Sequence, residues 1–258
     1  MPIGVFDSGV GGLTVVAALR RQLPEESILY LGDTARLPYG TKSQLTVERY
    51  TRRNLDFLIG RGVKAVVVAC NTASALALDG LETPVPVWGV IESGARRAAE
   101  VSSGRIGVIA TESTIRSGAY DLALHRSRDN LQITSHACPL FVPLVEEGWH
   151  DDPVAEVIAQ RYLEPLLEQG IDTLLLGCTH YPLLEPVLQR IAGDGVQLVD
   201  SAQAVALQVA AELSDRGLLA ESDEPEHHFC VTDNSERFSR IASMVLGTPK
   251  VSLELVEV

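Results

Sequence analysis

Two cysteines close matched apolar runs, Val66-Val67-Val68-Ala69-Cys70-Asn71-Thr72 and Leu174-Leu175-Leu176-Gly177-Cys178-Thr179-His180. The match extends without a gap: Gly62-Val63 stands as far before Cys70 as Gly170-Ile171 stands before Cys178, and Ile91-Glu92-Ser93 falls in register with Val199-Asp200-Ser201. A buried structural role is the ordinary fate of a lone free cysteine. Two at equivalent points, each followed by a polar pair, indicate instead two thiols acting on opposite faces of one carbon. A thiol with a reference pKa of about 8.5 needs help to become a base. The N–H groups of a following helix, a neighbouring proton acceptor, or both would supply it.

The neighbours of these cysteines offer that help. His180 lies two residues after Cys178, where the first unit has Thr72, and suits a residue that orients Cys178 or exchanges a proton with it; its structural alternative is a helix-start residue bonded to backbone. Asp7 closes the first apolar run and can serve Cys70 or cap the next helix, two roles that are compatible. Ser8, Asn71, Thr72, Thr111, Thr114, Thr179 and His180 cluster at predicted helix starts. Hydroxyls and backbone N–H groups there make an anion site without Arg or Lys, and two such sites suit a ligand with two carboxylates; taken singly, each residue is a cap.

Other chemistries fit less well. The turn Asp7-Ser8-Gly9-Val10-Gly11-Gly12 lacks the Lys-Ser/Thr of a phosphate loop and the full spacing of a dinucleotide fingerprint. Its small residues predict close approach of a substrate to the backbone. A zinc ion held by Cys70, Cys178, His180 and Asp7 matches no standard ligand spacing, so no metal is expected. Cys138 and Cys230 have no polar neighbour in the sequence and read as structural.

The elements that must position these residues alternate between strand and helix. Ile3 to Phe6 and Ser27 to Leu31 read as strands flanking a helix from Leu13 to Leu23; Ser43 to Arg61 is a long amphipathic helix, and Lys64 to Ala69 an apolar strand covered on both faces. Val85 to Val90 reads as the next strand. The series restarts near Gly104, where Arg105-Ile106-Gly107-Val108-Ile109-Ala110-Thr111 echoes residues 2–8. Strands follow at Leu131 to Ser135, Asp172 to Gly177 and Gln197 to Asp200, with a polar loop Ala137-Cys138-Pro139 and a helix from Val154 to Gln169. A helix from Ala202 to Arg216, an acidic loop over 221–226, a strand from His228 to Thr232, a helix from Ser235 to Leu246 and an apolar tail complete the chain. The expected architecture is two duplicated α/β domains with mainly parallel sheets, one comprising 1–93 and 206–258, the other 94–205. Ligands of such sheets bind beyond the carboxyl ends of the strands, so the site is expected in the cleft between the domains.

Bulk properties agree with a globular protein. The 258 residues are 46% hydrophobic and 21% charged, with a net charge of −13, which argues against nucleic acid or an anionic membrane as partner. No apolar run approaches the roughly 18 residues of a membrane span, and no secretory leader opens the chain. The four cysteines are accordingly read as reduced thiols in a cytoplasmic protein.

At five stretches the sequence resembles the cofactor-independent aspartate/glutamate racemase superfamily, and within it the glutamate racemases. They are Phe6-Asp7-Ser8-Gly9-Val10-Gly11-Gly12, Gly32-Asp33-Thr34-Ala35-Arg36-Leu37-Pro38-Tyr39-Gly40, Ala69-Cys70-Asn71-Thr72-Ala73-Ser74, Cys138-Pro139-Leu140-Phe141-Val142-Pro143-Leu144-Val145-Glu146 and Gly177-Cys178-Thr179-His180-Tyr181-Pro182-Leu183. The resemblance implies interconversion of L- and D-glutamate by two bases, without pyridoxal phosphate or metal, and a place in supplying D-glutamate for peptidoglycan. It assigns Cys178 to removal of the α-proton of L-glutamate and Cys70 to delivery on the opposite face, with Asp7 assisting Cys70 and His180 assisting Cys178. A family glutamate is placed at Glu146, with Glu147 its competitor. Asp7, Ser8, Tyr39, Gly40, Asn71, Thr72, Thr114, Thr179 and His180 match substrate-binding positions, and a homodimer is an assembly the family often forms. The alternatives are a racemase or isomerase for aspartate or another small acid, and a non-catalytic carboxylate-binding module with structural thiols.

Overall fold

A computed structural model describes residues 1–258 except 223, 234, 235, 249 and 250; of residue 237 only the backbone is described. Ser235, the expected start of the last helix, and one residue of the acidic loop thus lie outside the described residues. The uninterrupted apolar runs become strands whose every residue is buried: β1 (Ile3–Asp7), β2 (Ile28–Gly32), β3 (Ala65–Val68) and, in the second half, β7 (Thr173–Gly177). Burial on both faces is what a parallel sheet layered with helices requires. Around them lie β4 (Val87–Gly89), β5 (Arg105–Ala110), β6 (Gln132–Ala137), β8 (Gln197–Asp200), β9 (His227–Val231) and β10 (Leu253–Leu255).

These strands form two parallel sheets, ordered β10-β9-β2-β1-β3-β4 and β6-β5-β7-β8. The four strands of the second sheet repeat the order of β2-β1-β3-β4, so the duplication read in the sequence is a duplication of topology. In both sheets the chain reverses its direction of progress beside the first strand, between β1 and β3 and between β5 and β7. Such reversals open crevices at the carboxyl ends of the strands. Asp7, Cys70, Thr111 and Cys178 stand at those ends.

The helices are α1 (Leu13–Gln22), α2 (Gln44–Gly60), α3 (Asn71–Ala77), α4 (Val90–Val101), α5 (Glu112–Ser117), α6 (Ala119–Ser127), α7 (Phe141–Glu147), α8 (Pro153–Glu168), α9 (Glu185–Ala192), α10 (Ser201–Asp215) and α11 (Glu236–Leu246). Short helices such as α3 are not stable alone and depend on packing. α3 is fastened by its Ser74 hydroxyl, which donates to the Val68 carbonyl at 2.8 Å and accepts from the Val90 N–H at 3.3 Å. Gly118, at φ 67°, separates α5 from α6 by a left-handed turn that a side chain would strain. None of the described helices is long and apolar enough to cross a membrane.

Two expectations change. Ala137, expected in a loop, ends β6, because its pairing with Ala110 extends the ladder by one step. The apolar tail forms β10, whose Leu253 pairs with Phe229 at the edge of the first sheet. The chain passes between the sheets twice, from Gly89 into α4 and from Asp200 into α10. These two helices pack together, and a Cβ on Gly94 would lie 3.0 Å from the Ser201 Cβ.

Candidate active site

The carboxyl ends of the two sheets line a shared cleft. Its walls carry both cysteines and Ser8, Tyr39, Gly40, Asn71, Thr72, Glu146, Thr179 and His180, with Gly9, Leu37, Pro38, Thr111 and Val142 completing them. Cys70 and Cys178, 108 positions apart in the chain, therefore share one cleft because strand ends of two equivalent sheets face each other. Among the described residues no three His, Cys, Asp or Glu side chains converge as a metal site would need.

On the Cys178 side, the sulfur lies 3.9 Å from His180 Nδ1, and His180 Nε2 lies 3.2 Å from Glu146 Oε1. Burial opposes charge on this ring, yet its hydrogen bonds to Cys178 and Glu146 prevail and raise the His180 pKa to about 10. The imidazole is thus a proton holder at neutral pH, with one N–H on the sulfur and the other on a carboxylate. Glu146 is buried on the inner face of α7, whereas the adjacent Glu147 is exposed and borders an outer depression.

The Cys70 side is built differently. Cys70 precedes α3 and its sulfur lies 3.5 Å from Ser8 Oγ, with the Ala73 N–H also directed at it. Burial, reinforced by the nearby Asp7 charge, pushes the Cys70 thiol up to about 12. Asp7 is wholly buried beneath the cleft. Its carboxylate accepts from the Gly9 N–H at 2.9 Å and the Thr179 hydroxyl at 3.3 Å. Burial raises the Asp7 carboxyl above its ordinary value, against the opposing pull of His180. Asp7 therefore acts on Cys70 through space, while its hydrogen bonds reach across to the other sheet's Thr179.

Neutral hydroxyls line or back the rest of the cleft. Thr72, Thr111 and Thr114 form a triangle of hydroxyls with sides of 3.0, 3.2 and 3.0 Å, joining α3 to the start of α5. Thr114 stands behind the other two and is absent from the wall. Tyr39 is held by Asp33, whose carboxylate accepts its hydroxyl at 2.5 Å and also accepts from the Thr232 hydroxyl at 3.0 Å. From α5, the Ser113 hydroxyl donates to the Gly40 carbonyl at 2.8 Å.

The glycine turn departs from expectation. Gly9 does line the cleft, and Tyr30 donates its hydroxyl to the Gly9 carbonyl. Gly11 and Gly12 instead admit protein. A Cβ on Gly11 would collide with the Thr179 hydroxyl and lie 2.5 Å from His180 Nδ1, and one on Gly12 would strike the Asp7 side chain. Leu37, Pro38 and Val142 escaped attention because nothing in an apolar residue's type marks it as lining a polar site. Tyr120, which donates to Asn71 Oδ1 at 2.5 Å, lies in the first turn of α6 with no motif around it.

The comparisons with known proteins agree with this geometry. The family model for Asp/Glu/hydantoin racemases matches residues 7–209. A glutamate racemase of Geobacter metallireducens is 53% identical over 249 residues, covering 95% of this chain and 92% of its own. The crystal structure of the glutamate racemase isoform RacE1 of Bacillus anthracis superposes with a TM-score of 0.96 at 43% identity, over 99% of this chain and 97% of its own. That of Francisella tularensis glutamate racemase, in complex with D-glutamate, does so with a TM-score of 0.93 at 40% identity, over the same shares. With the paired cysteines at the ends of duplicated sheets, these likenesses establish that the chain belongs to the Asp/Glu/hydantoin racemase family, among its glutamate racemases.

Proposed function

We propose that this protein interconverts L- and D-glutamate by a two-base mechanism carried by Cys178 and Cys70. The observation that supports it is the unequal surroundings of the two sulfurs in one cleft. Cys178 faces a proton-holding His180, a proton partner and counter-charge 3.9 Å away. Cys70, pushed up to about 12, keeps its proton and can deliver it. That arrangement is set for L-glutamate. The Cα–H bond breaks, its proton passes to Cys178 and its electron pair stays on the substrate. Cα then takes the proton of Cys70 on the opposite face, leaving the electron pair on that sulfur.

For D-glutamate the direction reverses, and Asp7 is the neighbouring acid through which Cys70 is prepared. Glu146 fixes the His180 ring. Ser8, Tyr39, Gly40, Asn71, Thr72, Thr114 and Thr179 bind or support the substrate, and neutral donors fixed before the reaction stabilise charge that develops at its carboxylate. Leu37, Pro38 and Val142 keep part of the cleft dry, where such donors act most strongly.

The division into residues 1–93 with 206–258 and 94–205 belongs to this reading, supported by the return of β9 and β10 to the first sheet. So does a cytoplasmic location, supported by four free cysteines. A homodimer is carried by the resemblance, and light scattering tests it. The role in peptidoglycan supply follows from the family.

The deciding experiment uses protein freed of metal and given no cofactor, incubated in heavy water with each enantiomer of glutamate and of aspartate. Deuterium appears at the α-carbon of both glutamates as they racemise. Absence of exchange, or turnover of aspartate alone, overturns the proposal.

A further inference from the structure

Asn71 carries an unpaired group where pairing is expected. It is buried at the start of α3 and lines the cleft, yet its Nδ2 has no hydrogen-bond partner among the described residues. A buried donor left without a partner is costly and is rare in folded proteins. Its other amide atom is held firmly, since the Tyr120 hydroxyl donates to Oδ1 at 2.5 Å.

A phenol has a single proton to give. Tyr120 directs that proton to Asn71, so the amide presents oxygen to Tyr120 and nitrogen away from it. The Tyr120 ring itself cannot shift easily, because it is buried and packs against Gly177, where a Cβ would lie 2.8 Å from Cε2.

We infer that Tyr120 is a positioning residue for the reaction: its hydroxyl locks the Asn71 amide with Nδ2 facing the cleft as a donor to a substrate carboxylate. This lock rests on the reading of Asn71 as a substrate-binding residue. It crosses from the second half of the molecule to the first, so the orientation of a binding group on α3 is set by a side chain on α6. Without the phenol proton, the amide can turn and offer oxygen to an anion, which repels it.

A double-mutant cycle on racemisation tests this, using Tyr120→Phe, Asn71→Ala and the combination. Tyr120→Phe is expected to raise KM for both enantiomers about tenfold, with a smaller change in kcat, the order of one lost hydrogen bond to a charged group. In the Asn71→Ala background the same substitution adds nothing further. An unchanged KM in Tyr120→Phe, or a tenfold rise that persists when Asn71 is already Ala, overturns the lock. An Asn71→Ala protein with normal KM instead overturns the binding role of Asn71, and a wild type that does not racemise glutamate overturns the function. Should Tyr120→Phe fail to fold, Tyr120→Met, a flexible filler of the same space, enters the same cycle with the same outcomes.

Discussion

Gly11 of the first half touches His180 of the second so closely that a Cβ added to the glycine would lie 2.5 Å from Nδ1. That nitrogen is the one facing the Cys178 sulfur. The backbone of one unit thus forms the back wall for the acid–base pair of the other, and the space it leaves is smaller than a methyl group.

Gly11→Ala is therefore expected to push the ring off Cys178. Small misplacements of catalytic groups cost on the order of 10²-fold in rate. Steady-state kinetics in both directions should show a fall of about that size in kcat, with the protein still folded by circular dichroism. Retention of wild-type kcat would show that the ring keeps its place by another route.

The two sulfurs make a second prediction. Cys70→Ala and Cys178→Ala should each lower racemisation of both enantiomers by at least about 10³-fold, since removing one member of a cooperating catalytic set costs nearly as much as removing all. Polarimetry on D- and L-glutamate measures it. Normal turnover by either variant is incompatible with two bases.

A third prediction concerns pH and stability. His180 titrates at about 10 in the folded protein, against about 6.5 when unfolded. Between these values the native state holds a proton that the unfolded state has released, so unfolding free energy falls as pH rises. The contribution is complete below about 6.5 and is lost as pH passes through about 10. Denaturant titrations at pH 7, 8 and 9 should show a decline, and His180→Gln should flatten it. An equal decline in that variant would assign the slope to other groups.

A fourth prediction lies away from the chemistry. Lys64 and Glu26 form a buried ion pair at 2.6 Å, and Lys64 Nζ also donates to the Leu218 carbonyl while Glu26 accepts from the Ala220 N–H. Together they fasten the chain that leaves α10 against the first sheet. Removing one partner strands a buried charge, so Lys64→Met should cost about 3 kcal/mol in chemical denaturation, whereas Lys64→Met with Glu26→Leu should cost less. A single variant as stable as wild type would mean that the charge finds water.

Much of this was legible in the sequence, for a physical reason. Strands buried on both faces must be apolar throughout, so β1, β3 and β7 declare themselves, and the residues that follow them inherit a place at the strand ends. Cys70, Cys178, Asp7 and His180 could be found that way. Glu146 could not be separated from Glu147 until α7 showed which one faces inward. The hold on Asn71 by Tyr120 was hidden altogether, because it joins α3 to a helix 49 residues away through a contact that leaves no local pattern. The role of Gly11 is hidden for a similar reason: a turn signals small residues but not what will approach them.

The double passage of the chain between the sheets constrains how the cleft can work. A single covalent crossing would tie the halves at one point. Two crossings side by side, at the packed pair α4 and α10, tie them along a seam, so covalent structure as well as packing sets one sheet's strand ends against the other's. The two sulfurs, carried on different sheets, thereby inherit a spacing that neither half could fix alone.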